Sequence, residues 1–293
     1  TENWRIFKGE RNPHNDLAKL PDPPPWRPRR SKVAHERPWP TTTDEDNALP
    51  PAALKRGRDF HSTEKIIDMV NAALYLRRPL LVTGPPGSGK SSLVDAIAYE
   101  LRMGPALRWS VTSRSTLRDA LYQYDAIGRL QQQESGTKAE LGDFITLGPL
   151  GTALLPTQRP RALLIDEIDK SDIDLPNDLL NIFEEGEFEI PELRRLGAQT
   201  SVEVFTSDPL QPRANIKGGT VSAHEFPLMI LTSNGEREFP APFLRRCLRL
   251  RMPNPTGTLA EDDNKDWSRL NAIVDLHFSQ EHRKAAESII TAF

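Results

Sequence analysis

The chain has 293 residues, 37% of them hydrophobic, which is enough for one large domain with a real core and a smaller one beside it. Its one cysteine, Cys247, excludes an intramolecular disulfide and fits a reducing compartment; no apolar run approaches the ~18 residues of a membrane span, and the polar start TENWRIFKGERN lacks the apolar centre of a signal peptide, so the expected location is cytoplasmic. A formal net charge of -3 gives no support to constitutive nucleic-acid binding, which shows as a strongly basic domain.

The charge is unevenly spread. Residues 1–58 hold 12 Lys and Arg against 8 Asp and Glu, leaving 26 against 33 for residues 59–293. Ten of the 26 prolines fall in the first 51 residues. Proline fixes φ and removes an N–H donor, so residues 1–58 are expected to be an extended arm without regular helix or central strand. Trp4, Trp26 and Trp39, interleaved with arginines, predict that this arm packs along its own body or a neighbouring subunit. Deleting residues 1–50 is expected to leave a folded core but to weaken subunit or partner association.

From Ser62 the pattern changes to helix. STEKIIDMVNAALYL puts Ile66, Ile67, Val70, Ala73 and Leu74 on one face behind a Ser/Thr cap. PLLVTGPPGSGKSSLVDAIAYEL reads as strand, glycine loop and helix, and further strands are expected at ALRWSVT, RALLIDE, PLMILTS and CLRLRM. Helical stretches between them point to an α/β fold with a parallel sheet. Residues 59–254 are thus expected to form one α/β domain and residues 255–293 a small helical lid.

The sharpest motif is GPPGSGKS, Gly84 to Ser91, which meets every fixed position of G-x-x-x-x-G-K-[ST] between an apolar strand and an amphipathic helix. Gly84, Gly87 and Gly89 let the backbone N–H groups, with those of Ser88 and Ser92, turn toward phosphate oxygens at the positive end of the helix. Lys90 is expected to reach the β and γ phosphates, and Ser91 to offer its hydroxyl to Mg2+. In ALLIDEID the apolar run ends at Asp166 and Glu167, so both carboxylates emerge at the carboxyl end of a buried strand, where ligands sit in open α/β sheets. Asp166 would hold Mg2+ and Glu167 would orient the attacking water. DDNKDW, Asp262 to Trp267, misplaces the aspartate of a guanine-specific Asn-Lys-x-Asp motif, which leaves ATP as the expected nucleotide.

With YQYDAIGRL, LGPLGTALLPTQRPRALLIDEIDK, LPNDLLNIFEEGEFEIPEL and LTSNGEREFPAPFLRRC added, the chain resembles the AAA+ ATPases over about residues 60–255, and more narrowly their MoxR branch. The resemblance implies a five-stranded parallel sheet flanked by helices and a homo-oligomeric, hexameric ring that acts on a protein client, often with a von Willebrand A domain partner. By the same resemblance Asn234 matches the sensor-1 position. Arg245 or Arg246, with Arg246 preferred, matches the arginine finger that reaches a neighbour's nucleotide. Residues 121–150 are similar to this branch's helix-2 insert and residues 186–226 to its hairpin before sensor 1, both facing the pore or partner. No clear sensor-2 arginine can be matched, Arg283 being a weak candidate in a lid that reads as short.

Two rival readings belong to other classes. One is a nucleic-acid motor or defence-system ATPase, in which Arg27, Arg29 and Arg30 of WRPRR touch phosphate. The other is a nucleotide-gated assembly switch with little turnover, against which the carboxylate at Glu167 argues.

Overall fold

The computed structural model describes residues 4–29, 49–134 and 140–252. The expected lid with Arg283 and DDNKDW, together with Trp39 and Arg30 of the arm, lie outside the described residues. In chain order come helix α1 (Pro51–Arg58), α2 (Glu64–Leu76), strand β1 (Leu80–Thr83), α3 (Ser92–Glu100), β2 (Leu107–Ser110) and α4 (Leu117–Leu121). Next are β3 (Tyr122–Tyr124), α5 (Ala126–Glu134), β4 (Ile145–Leu147), α6 (Pro149–Ala153), β5 (Ala162–Asp166) and α7 (Leu175–Glu185). Then follow β6 (Glu187–Glu189), α8 (Pro191–Arg194), β7 (Ser201–Asp208), β8 (Gln211–Lys217) and β9 (Thr220–Ser222). The described part closes with β10 (Leu228–Ser233), α9 (Ala241–Arg246) and β11 (Leu248–Arg251).

The five strands expected from the sequence form one sheet in the order β11–β1–β10–β5–β2, every neighbouring pair parallel. The three inner strands β1, β10 and β5 are covered on both faces and read as continuous apolar runs, whereas the edge strands β2 and β11 alternate apolar with exposed residues. The pleat still sorts their side chains. Leu81, Leu163, Ile165, Met229 and Leu231 join one core cluster with Phe183 and Phe243, whereas Leu80, Val82, Leu164 and Ile230 join the other with α2 and α3. The predicted face of α2 is buried as a block, and Thr63 caps it by accepting from Ile66 N at 3.4 Å.

The N-terminal segment departs from the expected extended arm in one way, while its packing along its own body is among the expectations. Its last eight residues are helical: Pro51 stands at N1 of α1, where proline's fixed φ and missing N–H suit a helix start. Gly57 lets α1 lie against α3, since a Cβ there would come within 2.7 Å of Tyr99 Cβ and 2.8 Å of Asp95 O. Arg56 on α1 and Arg108 on β2 both bind the buried Asp95 of α3. Further upstream, Ile6, Phe7 and Leu17 are buried in the same cluster as α2, β1 and α3. Backbone with no ladder of its own still needs partners, and two buried side chains supply them. Asn71 Oδ1 accepts from Ile6 N at 2.7 Å and Phe7 N at 3.0 Å while its Nδ2 donates to Phe7 O at 2.7 Å. Glu100 accepts from the amides of Lys8, Gly9 and Arg11 at 2.6, 3.0 and 3.1 Å.

The two stretches expected to be insert and hairpin fold together. β3 and β4 come from the first, β7 and β8 from the second, and they form one sheet in the order β3–β4–β7–β8, joined where Thr146 on β4 meets Phe205 on β7. A buried ion pair, Arg161 to Asp208 at 2.9 Å, ties this sheet to the residue preceding β5.

Candidate nucleotide site

The glycine loop follows β1 and opens α3. Gly87 and Gly89 have φ of +74° and +85°, a region that L side chains avoid, and a Cβ at Gly87 would meet nothing within 4 Å. The loop borders a cleft of about 340 Å³, lined also by Lys90, Ser91, Ser92, Asp166, Glu167 and Asn234. These residues come from the carboxyl ends of β1, β5 and β10. Since β10 lies between β1 and β5, the loop after β10 sits between the phosphate loop and the acidic pair.

Lys90 is 7% exposed, and its Nζ donates to the carbonyls of Gly84 and Pro85 at 2.8 and 2.9 Å. Burial holds its ammonium below the usual lysine range, an effect that Asp169, Asp166 and Glu167 partly offset. The buried Ser88 hydroxyl has no hydrogen-bond partner. A buried cation held by carbonyls alone, an unpartnered hydroxyl and an open glycine turn all fit a phosphate chain.

Across the cleft, Asp166 Oδ1 accepts from Ser91 Oγ at 2.7 Å and from Thr232 Oγ1 at 2.6 Å. A serine hydroxyl beside a carboxylate offers the hard oxygens Mg2+ takes when phosphate and water complete its shell. No group of three or more His, Cys, Asp or Glu that could cage a metal occurs among the described residues. Thr232 Oγ1 in turn accepts from Glu167 N at 2.8 Å. Glu167 itself has φ of 59°, a strained conformation for a side-chain-bearing residue and one that collects at functional sites. Its Oε2 accepts from Lys170 Nζ at 2.6 Å in a half-exposed pair. Asp169 is buried, and its Oδ2 accepts from the amides of Asn234 at 2.9 Å and Glu236 at 3.2 Å.

The structure therefore brings together Gly84, Gly87, Ser88, Gly89, Lys90, Ser91, Ser92, Asp166, Glu167 and Asn234, and it keeps Arg245 and Arg246 apart from them. Both arginines end α9, just before β11, whose Leu248 pairs with Leu80 at the start of β1. They lie at the amino ends of the strands, opposite the cleft. Arg245 is exposed. Arg246 donates through Nε to Glu184 Oε1 at 2.6 Å and through Nη1 to Pro242 O at 3.2 Å. Sequence reasoning missed Thr232, Asp169 and Lys170. Thr232 had a signal, a hydroxyl two places before Asn234 at the end of an apolar strand, but Asp169 and Lys170 are two charges among many after Asp166.

A parallel sheet in this order, with a phosphate loop after β1 and an acidic pair on β5, defines a P-loop nucleotide hydrolase. The family model for the AAA domain of the dynein-related subfamily matches residues 79–247, more than half of the 293 residues, and the chain belongs to that family: it carries an AAA+ ATPase domain. No curated protein matches it. Among the described residues no helix is long and apolar enough to cross a membrane.

Proposed function

We propose that the chain is a MoxR-type subunit of a cytoplasmic, hexameric ATP-hydrolysing ring that remodels or matures a protein client, with a von Willebrand A domain protein as its partner. The observation that carries the ring reading is the register of β11 on β1. At ~3.3 Å per strand residue, Arg245 and Arg246 stand on the order of 15 Å along the sheet from the loop that follows Thr83. A guanidinium so placed serves a neighbour's nucleotide rather than its own. Arg246 is held by Glu184 in the isolated subunit, and a neighbour's terminal phosphate, with more charge and bidentate geometry, would displace that carboxylate. The client side is supported by α5 in the insert, where Ile127 and Leu130, three residues apart on one helix face, are 70% and 63% exposed.

Within the cleft, the loop amides and Lys90 bind the phosphates, and Ser91 and Asp166 would hold Mg2+, which when bound neutralises charge on the terminal phosphates. Glu167 takes the proton side of the attacking water and Asn234 fixes its position, so catalysis is positioning and charge stabilisation with no covalent intermediate. The nucleic-acid reading loses support because two of its arginines are engaged within the chain. Arg27 donates to Glu184 O at 2.9 Å and lies 4.1 Å over the Phe226 ring, and Arg29 pairs with Glu225 and Asp22.

The test uses the Glu167→Gln form held with ATP. It is expected to run as a ring by mass photometry and to retain a specific protein from native cells that the nucleotide-free form does not. A monomer with ATP, or identical recovery without it, would sink this reading.

A further inference from the structure

Asp169 is the carboxylate beside the cleft that the hydrolysis scheme leaves unused. It is 6% exposed and sits in the 3-10 turn Ile168–Lys170, which the left-handed Glu167 swings toward the neighbouring loop after β10. One oxygen, Oδ2, receives Asn234 N and Glu236 N at 2.9 and 3.2 Å. Those two amides converge because Gly235 between them has φ of +80° with open space where a Cβ would stand. The amide of Gly235 is taken by Ser233 Oγ at 3.0 Å. Three successive N–H groups of the Asn234 loop are therefore satisfied by two side chains, and the one from outside the loop is Asp169.

The other oxygen, Oδ1, is buried and has no hydrogen-bond partner. A loop tie alone does not require it, since a neutral acceptor would serve two amides at less desolvation cost. The carboxylate's charge acts on Lys90 alongside those of Asp166 and Glu167.

We propose that Asp169 is a positioning residue for hydrolysis: it sets the height of Asn234 in the cleft through the backbone and keeps one oxygen for a donor in the nucleotide-bound site. This rests on the ATPase reading, and the acidic motif then has three members, Asp166 for the cation, Glu167 for the water and Asp169 for the residue that orients the water.

The experiment compares Asp169→Ala and Asp169→Asn in the full chain, measuring phosphate release, affinity for a fluorescent ATP analogue and melting temperature. Misplacing a reacting group by about 1 Å costs on the order of 10²-fold, so Asp169→Ala should lose roughly that in kcat while the analogue's Kd changes by less than about threefold. Asp169→Asn keeps one acceptor for both amides but puts a donor where Oδ1 stood, so it should recover only the part of the loss that the position of the Asn234 loop accounts for, and full recovery would remove the role given to the second oxygen. Gly235→Ala strains the same loop without touching Asp169 and should show the same kcat-specific defect, which keeps the test open if Asp169→Ala does not fold. Undiminished kcat in Asp169→Ala, an Asn form no better than the Ala form, or parallel loss of Kd and kcat would each overturn the inference. Wild-type turnover no higher than that of Lys90→Ala would instead overturn the ATPase reading beneath it.

Discussion

Lys90 and Glu167 face one cleft from opposite sides, and removing them should separate binding from chemistry. Lys90→Ala takes away the buried ammonium that meets the phosphates, so binding of a fluorescent ATP analogue should be lost. Glu167→Gln keeps the strained turn and the hydrogen bond its backbone N–H donates to Thr232 Oγ1, so binding should persist while phosphate release falls by roughly 10² to 10⁴, the usual worth of a general base. Equal loss of binding in both would remove Glu167 from its role. Cys247 makes a prediction of a different kind. Burial pushes its thiol up to about 12 from 9.0, with Arg78 opposing the shift. Its folded pKa lies above its unfolded one, so the stabilisation is fully present below about pH 9 and is lost as pH rises from there toward 12. At pH 8 a thiol reagent should label it only as fast as the protein unfolds, and prompt labelling without denaturant would contradict the packing around it.

At the level of elements, the N-terminal segment behaves as part of the core. Deleting residues 1–50 removes Ile6, Phe7 and Leu17 from the cluster around α2 and α3, and it strands the polar atoms of Asn71 and Glu100. The deletion should therefore lower the melting temperature and not merely loosen association. A single change isolates the effect: Asn71→Ala leaves two amides and a carbonyl without their partner, a loss of about 1–3 kcal/mol for each buried group left unsatisfied, readable as a lower denaturant midpoint at constant slope. No shift in midpoint would mean the segment is dispensable for the fold. The contrast with the central sheet explains what was legible in the sequence. Its three inner strands are apolar runs that end at recognisable groups, Gly84, Asp166 and Asn234, as parallel strands buried on both faces must, while the edge strands β2 and β11 alternate apolar with exposed residues. The segment was not legible because Ile6 and Phe7 are an isolated apolar pair among charges, and their burial depends on Asn71, 64 residues away from Phe7. The sheet β3–β4–β7–β8 was hidden for the same reason. The hairpin β7–β8 is local, but its pairing with β4 joins Thr146 to Phe205, and no local pattern encodes that.

For the whole molecule the deciding question is whether Arg246 works on its own nucleotide or on a neighbour's. Removing Arg246, and to a lesser extent Arg245, should abolish hydrolysis with ATP affinity nearly intact, because both lie at the amino ends of the strands while the cleft opens at the carboxyl ends. An arginine finger is worth roughly 10³ to 10⁵ in rate, whereas an exposed ion pair such as Arg246 with Glu184 contributes about 0 to 1 kcal/mol. The size of the effect therefore distinguishes a catalytic arginine from one that only tethers α9 to α7. Glu184→Ala sharpens the contrast, since it breaks the tether and leaves the finger, and its turnover should remain within about threefold of wild type. Mixing then assigns the nucleotide. An Arg246→Ala subunit keeps an intact cleft but lacks the finger, and a Lys90→Ala subunit keeps the finger but lacks the cleft. In a mixed ring an intact cleft meets an intact finger wherever the two kinds adjoin in the right order, so two preparations that are each inactive should regain part of the activity together. Mixed rings that demonstrably form yet stay inactive would mean that Arg246 acts within its own subunit or not at all, and the ring mechanism would fall with it.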